Sequence, residues 1–153
     1  MISLPEIKVE VDRLAARIGA SGYVLPTYGY TEDGARPHVE VDVRGYHYVI
    51  VERGRELKRI TTDDLDELFY NIFEGVTFSL AGDYEVNHRI EGQDSRRLLF
   101  QRQVELLSAL SPQWGERESR RHERILHEYP YCDRARTSSI RARDWIRSVL
   151  AEL

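Results

Sequence analysis

Apolar positions near the start of the chain recur three and four residues apart: Leu4, Ile7, Val11, Leu14 and Ile18. That spacing predicts an amphipathic helix. Ser3 and Glu6 stand at capping-box distance, Pro5 suits a first turn and Gly19 suits a stop. The period then changes to two. "GYVLPTYGY" leads into "TEDGARP", whose Asp33-Gly34 pair is a hairpin turn signal, and "HVEVDVR" alternates strictly. Val39, Val41 and Val43 fall on one face of that run, and Glu40, Asp42 and Arg44 on the other. Arg44-Gly45 turns the chain into "YHYVIVE", and Arg53-Gly54 turns it again into "RELKRIT". Four consecutive strands with short connections predict an antiparallel meander, whose valine face needs a cover.

Helical spacing returns after Thr62, which is placed to cap a helix striped by Leu65, Leu68, Phe69, Ile72, Phe73, Val76 and Leu80 and ended by Gly82. A second helix is predicted from about Gln93 to Leu110, with Asp94 or Ser95 at its start. Ser111-Pro112 opens a third, polar helix that runs to Pro130, and a last one begins near Ser138 or Ser139. The reading is a single α+β domain over residues 1–153: an N-terminal helix and a four-stranded antiparallel meander packed against a C-terminal set of about four helices.

Composition narrows the class. The chain is 41% hydrophobic and 31% charged, which suits a folded protein with a real core. No apolar run approaches a membrane span, and the N-terminus lacks a basic-then-apolar export pattern. The single cysteine, Cys132, has no internal partner, so the expected compartment is the reducing cytoplasm. Net charge is −4, with acids in excess up to residue 110 and bases slightly ahead after it. An acidic body does not resemble a general nucleic-acid binder; Arg134, Arg136, Arg141, Arg143 and Arg147 form the best candidate for such a role.

Candidate chemistry concentrates in "NHRIEGQDSRRLLF", residues 87–100, and just before it. An enzymatic reading makes Asp83, Glu85 and His88 metal ligands or an acid/base set, the core of a hydrolase. The plainer reading is a helix approach in which Arg89, Arg96 and Arg97 pair with Asp83 or Glu85. "RHERILH" is not a zinc-protease motif, because His122 and His127, five apart, diverge by roughly 140° around a helix. Both are expected at the surface, as is the face where Glu116 and Glu118 meet Arg120 and Arg121. The acids at Asp63, Asp64, Asp66 and Glu67 complement a helix dipole without an ion. No catalytic set, metal site or cofactor motif is predicted. Tyr23, Tyr28, Tyr30, Tyr46 and Tyr48 belong to the strand region, where they either pack in the sheet or project as an aromatic patch beside Glu40 and Asp42.

The stretch from "HVEVD" through "YHYVIVERG" and "TTDDLDELFYNIFEGVTFSLAGDYEVNHRIEGQDSRRLLFQRQVELLSAL" resembles the immunity protein family numbered sixty-three of bacterial polymorphic-toxin systems. The carriers are Glu52-Arg53-Gly54, Leu68 to Phe73, Thr77 to Glu85, Arg89, Gln93-Asp94, Arg96-Arg97, Phe100 and Gln103, with Trp114 and Pro130 to Asp133 beyond them. The resemblance spans residues 38–133. It implies a cytoplasmic, non-catalytic protein, without cofactor, that binds and blocks a cognate toxin. It carries over no contact surface. From the residues themselves, the expected toxin-binding set is the polar strand face, Glu40 and Asp42, with neighbours Tyr46 and Tyr48.

Overall fold

The computed structural model describes residues 1–133. The predicted last helix and the arginines from Arg134 to Arg147 lie outside the described residues. Within them the order is α1 (Leu4–Arg17), β1 (Thr27–Tyr28), β2 (His38–Asp42), β3 (Gly45–Glu52), β4 (Arg55–Thr62), α2 (Leu65–Asn87), α3 (Ser95–Leu110) and α4 (Pro112–Glu128). The α+β class is as the periodicities predict. The chain divides into two compact units, Met1–Ser79 and Leu80–Leu153, with the boundary inside α2.

In the first unit the sheet order is β1-β2-β3-β4. The two pairings from β2 to β4 are antiparallel, as expected, but β1 runs parallel to β2. The predicted meander is therefore corrected to a mixed sheet. Asp33-Gly34 does not close a hairpin between β1 and β2. Asp33 and Ala35 both take positive φ, and the Asp33 carboxylate accepts from the Gly54 amide at 2.6 Å. Gly34 bridges Glu52 and the Ala35 amide donates to Val51 O. The segment is thus fastened to the far end of β3, and the chain must cross back before β2 begins, which makes the two strands run the same way.

The turns at Val43-Arg44 and Arg53-Gly54 are tight. Gly45, at φ 130°, lies so close to the Thr62 carbonyl that any side chain there would collide with backbone. Val43, predicted on the buried face, is 97% exposed because it sits in the turn rather than the strand. Val39 is buried opposite Tyr48, and half-buried Val41 lies opposite Tyr46. Ile7, Val11 and Leu14 of α1 and Leu68, Ile72, Phe73 and Val76 of α2 belong to the buried apolar set of this unit. The capping box at Ser3 and Glu6 is formed. Asp64, rather than Thr62, holds the first turn of α2: its carbonyl accepts from Leu68 N and its carboxylate from Asp66 N.

In the second unit α2 continues past Gly82 to Asn87, since one glycine inside a strong apolar stripe weakens a helix without ending it. Asp94 caps α3 and Ser111 caps α4, both through side chains. The α3–α4 pair meets closely at Gly115, where a β-carbon would overlap the side chain of Ser108.

Candidate functional site

Alternation along β2 puts His38, Glu40 and Asp42 on one face, and register adds His47 of β3 opposite Glu40. Two linked sets of charges result. Glu40 meets His38 Nε2 at 2.9 Å and accepts from Arg59 Nη1 at 3.0 Å, and Arg59 grips Glu56 through both carboxylate oxygens at 2.9 and 3.0 Å. Asp42 accepts from the Arg44 amide at 2.8 Å and its Nη2 at 2.9 Å, and meets His47 Nε2 at 2.8 Å. The other nitrogen of that buried ring meets Thr61 Oγ1 at 2.8 Å. His38 Nδ1 is buried without a partner among the described residues.

The Glu40 and Asp42 side chains are each 39% exposed, so they are held in place yet reachable. Partial burial pushes the Glu40 carboxyl up, but the hydrogen bonds from His38 and Arg59 outweigh it and the net shift is down. Asp42 is held well below the usual aspartate range, first by Arg44 and then by His47. Both are firmly ionised at neutral pH. Each carboxylate is saturated laterally by fixed donors, and the arrangement displays charges of alternating sign.

The structure parts the remaining expected residues from this face. Tyr46 and Tyr48, paired with Val41 and Val39, lie on the opposite side of the sheet and are buried. Tyr46 is tied down further, accepting through its hydroxyl from the Ile2 amide at 2.9 Å. Of the five tyrosines of the strand region, those that project are Tyr23 and Tyr30. Alternation separates the odd from the even positions of β3, and register to Val39 decides which side each tyrosine takes.

Asp83, Glu85 and His88 do not assemble. The first two stand on the last turns of α2, two positions apart and so pointing to different sides. Buried Glu85 takes a bidentate pair from Arg89 at 2.9 and 3.0 Å, while His88 stacks on Tyr84 and meets its carbonyl at 2.8 Å. Arg96 and Arg97 serve another cluster. Asp94 accepts from Arg96 and from the Cys132 amide at 2.9 Å, and Arg96 donates to Tyr129 O and Pro130 O. Asp133 accepts from the Asp94 amide and from Arg97, whose guanidinium lies 4.1 Å from the Tyr131 ring centre. These contacts fasten residues 129–133 to the start of α3. Among the described residues, no group of three or more His, Cys, Asp or Glu is placed to hold a metal ion, and no helix is long and apolar enough to cross a membrane.

His122 departs from its expected surface position. It is buried, stacked on Phe100 with ring centres 3.9 Å apart, and its Nε2 lies 3.0 Å from both Gln103 Oε1 and Glu118 Oε1. Glu118, expected on a solvent face, is buried and also takes Arg121 at 2.9 Å. The signal was present as the spacing Trp114, Glu118, His122, one stripe of α4, but its polar members hide it from a hydrophobic pattern.

The immunity protein 63 family model matches residues 42–124, just over half of the chain, and the chain belongs to that family. The match takes in Asp42, the strands β3 and β4, all of α2 and α3 and most of α4; Glu40 and the 129–133 segment fall outside it. No curated protein and no solved structure matches the chain.

Proposed function

We propose that this protein neutralises a cognate toxin of a bacterial polymorphic-toxin system in the cytoplasm of the producing cell, by binding it and occluding its active site or an adjacent surface. No step of this role requires catalysis or a cofactor. The observation that carries it is the family match over residues 42–124, with support from the sheet face, where Glu40 and Asp42 are ionised, fixed and part-exposed. Charges held in place before contact lose little freedom on binding and steer a partner of opposite sign.

The test is co-expression with the toxic domain encoded by the adjacent reading frame, followed by affinity measurement with purified proteins. Rescue of growth and a tight complex are expected. The double variant Glu40→Gln, Asp42→Asn keeps acceptors for His38 and His47 while removing both charges. It is expected to bind at least tenfold more weakly and with a shallower dependence on salt. Full growth inhibition despite the wild-type protein removes the proposal; unchanged affinity in the double variant moves the contact surface elsewhere.

A further inference from the structure

Glu40 and Asp42 are equally reachable, each with 39% of its side chain in solvent, so exposure does not separate them. Their partners do. An ionised carboxylate offers about four acceptor positions, two on each oxygen. On Asp42 all are taken. Oδ1 accepts from the Arg44 amide and from His47 Nε2, both at 2.8 Å, and Oδ2 accepts from Arg44 Nη2 at 2.9 Å and Nε at 3.2 Å. Among the described residues Glu40 is held by two donors only, His38 Nε2 at 2.9 Å on Oε1 and Arg59 Nη1 at 3.0 Å on Oε2. One position therefore stays open on each of its oxygens.

The charges divide in the same way. Asp42 faces Arg44, and the pair sums to zero. Beside Glu40, the Arg59 guanidinium is shared with Glu56, which takes it through both oxygens at 2.9 and 3.0 Å. Two carboxylates thus face one cation, and one negative charge is left over. Neither histidine alters the count. An ionised carboxylate can only accept, so each ring carries its hydrogen on Nε2. The Thr61 hydroxyl is placed to donate to His47 Nδ1, whereas a second N–H at His38 Nδ1 would be buried without an acceptor among the described residues. The neutral ring fits both sites. His38, 3% exposed, has its one hydrogen bond to Glu40, so this buried ring serves to aim the carboxylate before any contact.

A fixed carboxylate with an open position on each oxygen and a surplus negative charge matches the planar fork of a guanidinium, which donates two parallel N–H bonds; an ammonium is a point charge without that fork. We infer that Glu40 is the anchor of the toxin contact and receives an arginine side chain of the toxin through both oxygens, whereas Asp42 is committed to bracing the turn between β2 and β3. The inference rests on the toxin-binding role proposed above and divides the labour within that same face.

Single variants measured against the purified toxic domain encoded by the adjacent reading frame test it. With melting temperatures near that of the wild type, Glu40→Gln is expected to bind about tenfold or more weakly and Asp42→Asn within about twofold of the wild type. A double-mutant cycle then pairs Glu40→Gln with arginine-to-lysine variants of the toxic domain, taken one at a time. Replacing one of these arginines is expected to cost about tenfold against the wild-type protein and less than about twofold against Glu40→Gln. If Asp42→Asn melts early, the cycle at Glu40 decides alone. Equal losses in the two folded single variants, or no toxin arginine coupled to Glu40, overturn the inference and leave the toxin-binding role standing. Absence of binding by the wild-type protein overturns both.

Discussion

Glu40 on the sheet and Glu118 on α4 have nearly the same partners, a histidine nitrogen at 2.9 or 3.0 Å and an arginine at 3.0 or 2.9 Å. One side chain keeps 39% of its surface in solvent and the other keeps none. The chemistry of the pair is therefore the same and its consequence opposite. On the sheet, water competes for each charge, so the network contributes little to folding and remains open to a partner. On α4, water is excluded and each group depends on the others, so the network serves to fix how α3 and α4 meet. Function is expected where the charges are exchangeable, and rigidity where they are not.

The sharpest way to break the comparison is to remove each glutamate. Glu118→Ala leaves Arg121 and His122 without their buried carboxylate and is expected to lower unfolding stability by about 3–5 kcal/mol, read by urea denaturation. A loss below 1 kcal/mol would put Glu118 in the same class as the surface pairs. Asp94→Ala comes next, at about 2–3 kcal/mol, because it removes the cap of α3 together with the bonds to Arg96 and the Cys132 amide.

Asp94 also gives a pH signature. Burial pushes its carboxyl up, but bonds from Arg96 and from the Cys132 and Arg96 amides together hold it below its ordinary value. The unfolded chain therefore takes up that proton first, and the stability Asp94 contributes is complete above the aspartate range and lost as pH falls through and below about 4. Denaturation curves between pH 7 and 3 are expected to show a smaller acid loss in Asp94→Asn than in the wild type. Glu40→Gln with Asp42→Asn should barely move the melting temperature while weakening toxin binding, the reverse of Glu118→Ala. Lys8→Ala, which breaks an exposed pair with Asp12 on α1, is the zero of the scale at about 0.5 kcal/mol or less.

Much of the local structure was legible. The capping box at Ser3, the cap at Asp94, the Ser111-Pro112 start of α4 and the Arg53-Gly54 turn are all short-range features, fixed by side chains within a few residues. The stop assigned to Gly82 did not hold, because the energetics of a helix are settled along its whole buried stripe. Glu40 and Asp42 could be assigned to a polar face from alternation alone. Tyr46 and Tyr48 could not be assigned beside them, since their side depends on register with Val39 and Val41, a contact between strands.

Period, caps and charge thus settled on their own that this chain forms an α+β protein with these helices and strands, since those signals act between near neighbours. The direction of β1 and the burial of His122 with Glu118 were decided only by the tertiary structure. Each depends on which distant surfaces meet and exclude water, and a polar residue carries no local mark of whether it will be one of those enclosed.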